Sequence, residues 1–459
     1  MIIRIPQDAQ SIIATLNENG YEAYVVGGCV RDSLLGRDPE DWDITTSARP
    51  EDIKRLFTRT IDTGIQHGTV TVRMHGNSYE VTTYRIDGEY EDNRHPKNVT
   101  YTMELKEDLR RRDFTINAMA YNPTEGLVDI FGGRNDLDDR MIRCVGNASD
   151  RFDEDALRTL RAVRFAGQLG FDIEEDTYDA IKTHAGNVAS ISAERIRVEL
   201  TKLIESGGAD RLKLIVDTGL ADVIFPELVT MFDTPQNNPH HKYNVGDHTL
   251  KVIEDIHRQC DGAFRENDAK GFRILCLSGL LHDVAKPVKR TTDEDGIDHF
   301  YGHPQAGEDM AKDILTRLKF DNYTINMVKN LVLNHDYRYN GQKKSLRRFV
   351  SKAGHDIMPY LFILMEADIN GQSEYYRKEK KEMLYLMKED YKNIVEESNA
   401  VTIKELEING VTLMDMGVPK GKMIGDILNM LLEAVIEDPG LNEKNTLEEM
   451  AKNIFSKKM

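Results

Sequence analysis

The hydrophobic period of this chain changes near residue 150, and that change limits the folds open to it. Upstream, short β-rich runs alternate with turn residues: Tyr24-Val-Val, Trp42-Asp-Ile, Thr69-Val-Thr-Val-Arg and Tyr79-Glu-Val-Thr-Thr-Tyr, divided by Gly, Asn and Pro. Downstream, Ala156, Leu160, Val163 and Gly167 fall at i, i+4, i+7 and i+11, with Gly170 as a stop. A second helix is predicted from Ser192 as N-cap to near Gly207, burying Ile196, Leu200, Leu203 and Ile204. Beyond it strand signals almost vanish. The first part is α/β or α+β and the rest is essentially helical.

With 459 residues the chain is too long for one ordinary core and predicts three or four units. A polar patch, Thr234-Pro-Gln-Asn-Asn-Pro-His-His, marks one boundary, and Asn370-Gly-Gln-Ser marks another. The run Arg377-Lys-Glu-Lys-Lys-Glu reads as a solvated helix face without function. Sixty Lys+Arg against 78 Asp+Glu give a net charge of −18. That excludes an indiscriminately basic nucleic-acid coat, yet leaves room for a few arginines that grip phosphates locally. Cys29, Cys144, Cys260 and Cys276 form no CxxC pair, so a reducing compartment is expected. The first residues lack a cationic stretch followed by a long apolar run, and no segment approaches a membrane span. A soluble, cytoplasmic protein is the expectation.

Val25-Val-Gly-Gly-Cys-Val-Arg-Asp runs from an apolar strand into a helix-like stretch. A Gly-Gly pair at such a turn lets backbone N–H groups approach a phosphate, and Arg31 adds a forked donor. Gly27, Gly28 and Arg31 are therefore candidate nucleotide contacts. Downstream stands Asp41-Trp-Asp-Ile; on a strand, Asp41 and Asp43 share one face. Adjacent carboxylates repel unless a cation sits between them. Mg2+ suits the pair, because it is held by one or two carboxylates while also holding substrate phosphates. Glu80 is a candidate third carboxylate on a neighbouring strand. Alone, each motif reads as a tight turn or a solvated acidic turn; together they point to phosphate chemistry.

Gly27-Gly-Cys-Val-Arg-Asp followed by Asp41-Trp-Asp resembles the first motif of class II tRNA nucleotidyltransferases and bacterial poly(A) polymerases, of the polymerase-β-like superfamily. Arg111-Arg-Asp-Phe-Thr-Ile-Asn-Ala-Met-Ala resembles that family's ribose-recognising motif, and Glu154-Asp-Ala-Leu-Arg its nucleotide template. Ser192-Ala-Glu-Arg-Ile-Arg-Val-Glu-Leu resembles the helix that braces the template. The span Ile408–Gly425 resembles the C-terminal tRNA-gripping region of the bacterial enzymes. The expected organisation is α+β: a mixed-sheet nucleotidyltransferase head (1–145), an all-α neck and body (146–235), a further helical domain (236–370) and a helical tail (371–459).

Within that frame Asp113 can accept a ribose hydroxyl and Arg112 can meet the triphosphate. Asp155 and Arg158, at i and i+3, are expected on one helix face. A carboxylate only accepts, so Asp155 wants the exocyclic amine of cytosine or adenine; Arg158 only donates, so it wants a ring nitrogen or carbonyl beside that amine. Guanine and uracil fail the first test. Arg161 and Arg164 continue the series towards the phosphates.

A second constellation comprises Gly246-Asp-His-Thr-Leu, Leu280-Leu-His-Asp-Val-Ala-Lys-Pro, Gly302-His-Pro, Leu333-Asn-His and Glu366-Ala-Asp. It offers a mixed N/O site for a divalent transition metal. This set resembles the HD phosphohydrolase superfamily, which implies His248, His282, Asp283 and Asp368 as ligands of Ni2+, Mn2+, Co2+ or Fe2+. His303 and His335 are candidates for a second ion or for phosphate contacts, and Lys286 for a phosphate partner. His184, His257 and His355 read as structural.

Together these motifs predict CCA addition to tRNA 3′ ends from CTP and ATP with Mg2+, plus a phosphohydrolase activity. No protein partner is implied. An A-adding specialist or a poly(A) polymerase shares the head motifs, and a phosphohydrolase with an inactive head is the alternative from another class. Arg85–Pro96 occupies the place of the loop that CCA-adding enzymes keep and CC-adding enzymes shorten.

Overall fold

In the computed structural model, residues 2–88, 99–397 and 400–458 are described. Most of the Arg85–Pro96 loop lies outside them. The chain divides into two units, Met1–Val229 and Thr230–Met459. Among the described residues no helix is long and apolar enough to cross a membrane. The four cysteines are buried and form no disulfide.

The first unit opens with helix α1 (Gln7–Glu18), strand β1 (Ala23–Val26), helix α2 (Gly28–Leu34), strand β2 (Ile44–Thr46) and helix α3 (Pro50–Leu56). Strands β3 (Thr60–Gly64), β4 (Thr69–Met74) and β5 (Asn77–Thr83) follow, then a small hairpin of β6 (Arg85–Asp87) and β7 (Val99–Tyr101). Helix α4 (Leu105–Arg110), strands β8 (Met119–Asn122) and β9 (Gly126–Asp129), and helix α5 (Gly133–Asp138) complete the head. The main sheet is mixed, in the order β3-β4-β5-β2-β1-β8-β9. β2 and β5 run parallel, with Ile44 opposite Val81, while β1 pairs antiparallel with both β2 and β8.

All four residues of β1 are buried, because the sheet is covered on both faces there. Tyr24 and Val26 pack with Tyr84, Leu109, Ala118, Ala120 and Val145. The predicted strand at Trp42-Asp-Ile begins two residues later than expected, at Ile44. Gly27 adopts φ +81° and turns the chain out of the sheet. The last β1–β2 ladder bond therefore runs from the Val26 N–H to the Asp43 carbonyl at 3.0 Å, and Asp41 and Trp42 have no strand to pair with.

The neck carries α6 (Ala148–Glu154), α7 (Leu157–Leu169), α8 (Glu175–His184) and α9 (Ala193–Glu205). The predicted stop of α7 is Gly170 at φ +71°, and α9 buries Ile196, Leu200, Leu203 and Ile204 as expected. Ser192 is the N-cap of α9 by position, but its hydroxyl makes no capping bond. Asp155 and Arg158 do not share one helix face. Asp155 is extended, in the break between α6 and α7, and Arg158 lies in the first turn of α7. The second unit is helical apart from a two-stranded hairpin, Thr291–Thr292 with Asp298–His299. Its last part has a separate apolar cluster around Leu413, Ile427, Leu431, Val435 and Leu447.

Close packing of α7 on the segment after α9 depends on two glycines. A Cβ at Gly208 would lie 2.5 Å from the Gly167 carbonyl oxygen and 2.7 Å from its Cα, and neither backbone atom can yield cheaply. Gly208→Ala is expected to destabilise the first unit by about 1–3 kcal/mol through overpacking, measured by urea unfolding, whereas Gly186→Ala, with open space around it, should change little.

Candidate active sites

In the head, Asp41, Asp43 and Glu80 present exposed carboxylates. Parallel pairing of Ile44 with Val81 carries Glu80 of β5 to the position beside Asp43. Although Asp43 reaches solvent, the protein around its carboxyl desolvates it and pushes it above the usual range; Arg112 opposes this, and the like charges of Glu80 and Asp41 reinforce it. The expected pair is thus a triad, gathered by sheet register rather than by one strand's alternation. Such all-oxygen, mutually repelling donors fit a hard divalent cation.

Arg112 lies across from the triad. Its Nη1 would be 2.9 Å from a Cβ at Gly27, so only a glycine with positive φ leaves room for it. Its Nε is buried without a hydrogen-bond partner, and Asp108 Oδ2 is 3.6 Å from Nη2. Asp108 itself is completely buried. It accepts from the Thr45 hydroxyl at 3.0 Å and from Arg111 Nε and Nη2 at 3.1 and 2.9 Å. Burial alone would raise the Asp108 carboxyl, but Arg111 and Arg112 hold it below the usual range. The sequence reading missed Asp108, although its i, i+3 and i, i+4 spacing to Arg111 and Arg112 was visible.

Other expected nucleotide contacts are turned inward. Arg31 is 6% exposed; it forks onto Asp32 at 2.9 and 2.8 Å and donates to Asn117 Oδ1 at 2.7 Å. Asp113 Oδ1 accepts from the Phe114 N–H and Asn117 Nδ2, while Oδ2 accepts from Arg161 Nε at 2.9 Å and Nη2 at 2.6 Å. Both Asp113 oxygens thus accept hydrogen bonds from within the protein. Despite burial, Arg161 keeps its carboxyl far below the usual range. Arg164 donates to Glu199 at 2.6 Å and to Gln168 at 2.7 Å, and lies 3.6 Å over the Phe165 ring.

Asp155 and Arg158 also have protein partners. Arg195, from α9, forks onto Asp155 at 3.3 and 2.7 Å. Arg158 donates to Glu154 at 2.6 Å and to the Arg111 carbonyl at 2.9 Å. The brace expected from α9 is therefore a specific ion pair through Arg195.

The second unit brings together residues from five helical segments. His248 lies on Val245–Gln259, His282 and Asp283 follow Ala269–Leu281, His303 begins His303–Arg317, His335 ends Asn322–Asn334, and Asp368 lies on Met358–Gly371. Two groups have donor atoms mutually within 4.8 Å: His248, His282 and Asp368; and Asp283, His303 and His335. Asp283 joins them, with Oδ2 3.2 Å from His282 and Oδ1 3.4 Å from His303. Lys286 is ion-paired with Asp283 Oδ2 at 2.8 Å and donates to Gln236 at 2.8 Å.

The tautomers follow from chemistry. Nδ1 of His282, His303 and His335 lies 2.8, 2.8 and 2.7 Å from the Gly279, Phe300 and Val332 carbonyls. Carbonyls only accept, so each Nδ1 carries the proton and each Nε2 of a neutral ring aims a lone pair inward. His303 Nε2 and His335 Nε2 are 3.3 Å apart, a contact that needs a proton or a cation between them. Burial pushes the His303 imidazole down to about 4, while Asp283 pulls the buried His335 imidazole up. Asp283 and Asp368 are held far below the usual carboxylate range by their histidine neighbours, against burial. Six N/O donors around two points fit divalent transition metals. His184, His355 and His257 are engaged elsewhere, with Asp153, Tyr391 and the Phe272 ring.

Three family models match parts of the chain. Residues 23–143 match the poly A polymerase head domain, 170–231 an RNA- and SrmB-binding site of polymerase A, and 290–451 domain 2 of tRNA nucleotidyltransferases. The CCA-adding enzyme of Oceanobacillus iheyensis is 52% identical over 213 residues, 46% of this chain and 53% of that protein. That of Lactiplantibacillus plantarum is 54% identical over 198 residues, 43% of this chain and 49% of its own. These alignments span about half the length of the relatives. The crystal structure of the Bacillus stearothermophilus CCA-adding enzyme in complex with CTP superposes with a TM-score of 0.72 at 29% identity, covering 98% of both chains. The Thermotoga maritima CCA-adding enzyme complexed with tRNA shares the fold, with a TM-score of 0.60 at 21% identity over 98% of this chain and 97% of that one. A mixed-sheet head followed by a mostly helical body is thus the architecture of solved CCA-adding enzymes.

Asp108→Ala leaves two arginines without their buried partner and should cost about 3–5 kcal/mol. Because the folded-state carboxyl is depressed, the stability it contributes is complete above its ordinary value near pH ~4 and is lost as pH falls through the folded value. Chemical unfolding of wild type and Asp108→Asn should therefore show a gap that narrows only below about pH 4; a gap constant with pH would contradict the assignment.

Proposed function

We propose that this chain is a template-independent tRNA nucleotidyltransferase that adds CCA to tRNA 3′ ends from CTP and ATP, in the cytoplasm. Support comes first from the juxtaposition of the Asp41/Asp43/Glu80 triad with Arg112 inside the segment that matches a poly A polymerase head. Asp41 and Asp43, with Glu80 beside them, would hold Mg2+, which when bound neutralises triphosphate charge and favours ionisation of the attacking hydroxyl. Arg112, held by Asp108 and seated over Gly27, receives the triphosphate, and Gly28 opens the approach to α2. The RNA 3′-hydroxyl attacks the α-phosphate and pyrophosphate leaves. Catalysis then rests on positioning and on charge stabilisation by groups already in place.

Base choice rests on Asp155 and Arg158. Arg195, forked onto the carboxylate, orients it as an acceptor, so amine-bearing C and A are taken and U and G are refused. Arg161, paired with Asp113, fixes the neck against the head, and Arg164, paired with Glu199, ties α7 to α9, so together they set where that pair stands. In this reading Asp113 acts on the ribose only through what it positions. Asp43→Ala should abolish addition to a tRNA lacking its CCA end, with an unchanged melting temperature. Asp155→Ala should lower CTP and ATP use and admit UTP or GTP. The check is product length with each NTP alone and with CTP plus ATP; full extension by Asp43→Ala, or a uniform rate loss without altered selectivity in Asp155→Ala, would overturn the respective assignment.

For the second unit the reading is a phosphohydrolase of the HD type. His248, His282, Asp283 and Asp368 would hold one transition metal, with Asp283, His303 and His335 around a second position. The inward Nε2 lone pairs support it. Lys286, ion-paired with Asp283 at 2.8 Å, would turn to a phosphate oxygen. His282→Ala/Asp283→Ala should lose bound Ni2+, Mn2+ or Co2+ and hydrolysis of 2′,3′-cyclic phosphates, yet keep nucleotide addition. Metal analysis and a side-by-side assay with Asp41→Ala, expected to do the reverse, test it.

A further inference from the structure

The charged helix Arg377–Glu396 is not simply a solvated face. Gln372, just before it, is 9% exposed, and its amide nitrogen donates to Asp368 Oδ2 at 2.8 Å. Its amide oxygen accepts from Lys380 Nζ, and its main-chain carbonyl accepts from Arg377. Lysine has no acceptor, so the amide can face only one way: oxygen to Lys380, nitrogen to Asp368. The other oxygen of Asp368, Oδ1, faces His248 Nε2 at 2.9 Å and His282 Nε2 at 3.8 Å. Asp368 is therefore divided between two tasks, with one oxygen aimed into the histidine group and one tied outward.

We infer that Gln372 and Lys380 are positioning residues for the metal centre, locking Asp368 so that it offers Oδ1 alone. This rests on the transition-metal reading of the second unit. Without the amide, Oδ2 is free to rotate inward and the donor geometry is no longer preset. Lys380 matters because it selects the amide orientation; its ammonium also lies in the field of Asp368, Asp336, Arg338 and Lys286. A helix that opens on a charged run thereby contributes to an interior site twelve residues back along the chain.

The test uses the full chain with Asp43→Ala as background, so that the head's carboxylates do not take up the probe, and Mn2+ alone, with free Mn2+ followed by its electron paramagnetic resonance signal; nucleotide addition is read on the same variants without that background. Partners of metal ligands typically change affinity about 10–100-fold when removed. Gln372→Leu should weaken Mn2+ binding by that range, and Gln372→Glu, which keeps the acceptor for Lys380 but cannot donate to Asp368, should do likewise. Lys380→Met should weaken binding about threefold or more, with Lys380→Arg restoring it to within about twofold of wild type. Thermal melting and nucleotide addition by the head show that each variant is folded. Wild-type affinity in folded Gln372→Leu, Gln372→Glu and Lys380→Met would overturn this inference alone. A wild-type protein that binds no Mn2+ would overturn both it and the metal reading beneath it.

Discussion

The ion pair between Asp113 and Arg161 is the constraint on which the first unit's site depends. Asp113 stands in the loop after α4, and Arg161 is on α7, the helix that also carries Arg158. The carboxylate is 8% exposed and takes two hydrogen bonds from one guanidinium. From there the charges continue: Arg161 lies 3.6 Å from Glu199 and Arg164 2.6 Å from the same residue. Arg31, Arg161 and Arg164 surround the Phe165 ring at 5.0, 5.3 and 3.6 Å. A buried charge left alone is costly, so each member holds the next in place. The neck is thereby keyed to the head, and α7, which carries Arg158, is held against the loop that carries Asp113.

The same logic recurs in the second unit around Asp283. It is 1% exposed and faces His248, His282, His303, His335 and Lys286. This one carboxylate stands between the two histidine groups and is more deeply embedded than Asp368. The backbone carbonyls behind three of the rings determine which nitrogen each presents. In both units a buried aspartate organises positive or nitrogen-bearing partners drawn from separate helices.

Much of this was legible in the sequence, for identifiable reasons. Helices α7 and α9 follow from apolar spacing, Gly170 and the run Ile196 to Ile204; β1, β4 and β5 follow from β-branched runs. The Asp41/Asp43 pair and the six histidine and aspartate members of the second centre were visible as motifs. What was not legible depends on register and on long-range partners. Glu80 was a candidate third carboxylate, but its register beside Asp43 comes from the parallel pairing of β2 with β5. The break at Asp155 interrupts a stretch whose apolar period is continuous, because Arg195, distant in sequence, holds the carboxylate in an extended segment. Arg31, Asp113, Arg161 and Arg164 were visible as charges near a phosphate site, but the partners that engage them lie up to 86 residues away. Lys380 was read as surface because its neighbours Lys378 and Glu379 are.

A double-mutant cycle on Asp113→Asn and Arg161→Met, read by urea unfolding, tests the keying of neck to head most directly. A coupling energy of about 2 kcal/mol or more is the expected result for a buried, two-pronged pair. A coupling below about 0.5 kcal/mol would mean that the two side chains act independently, and would contradict the account.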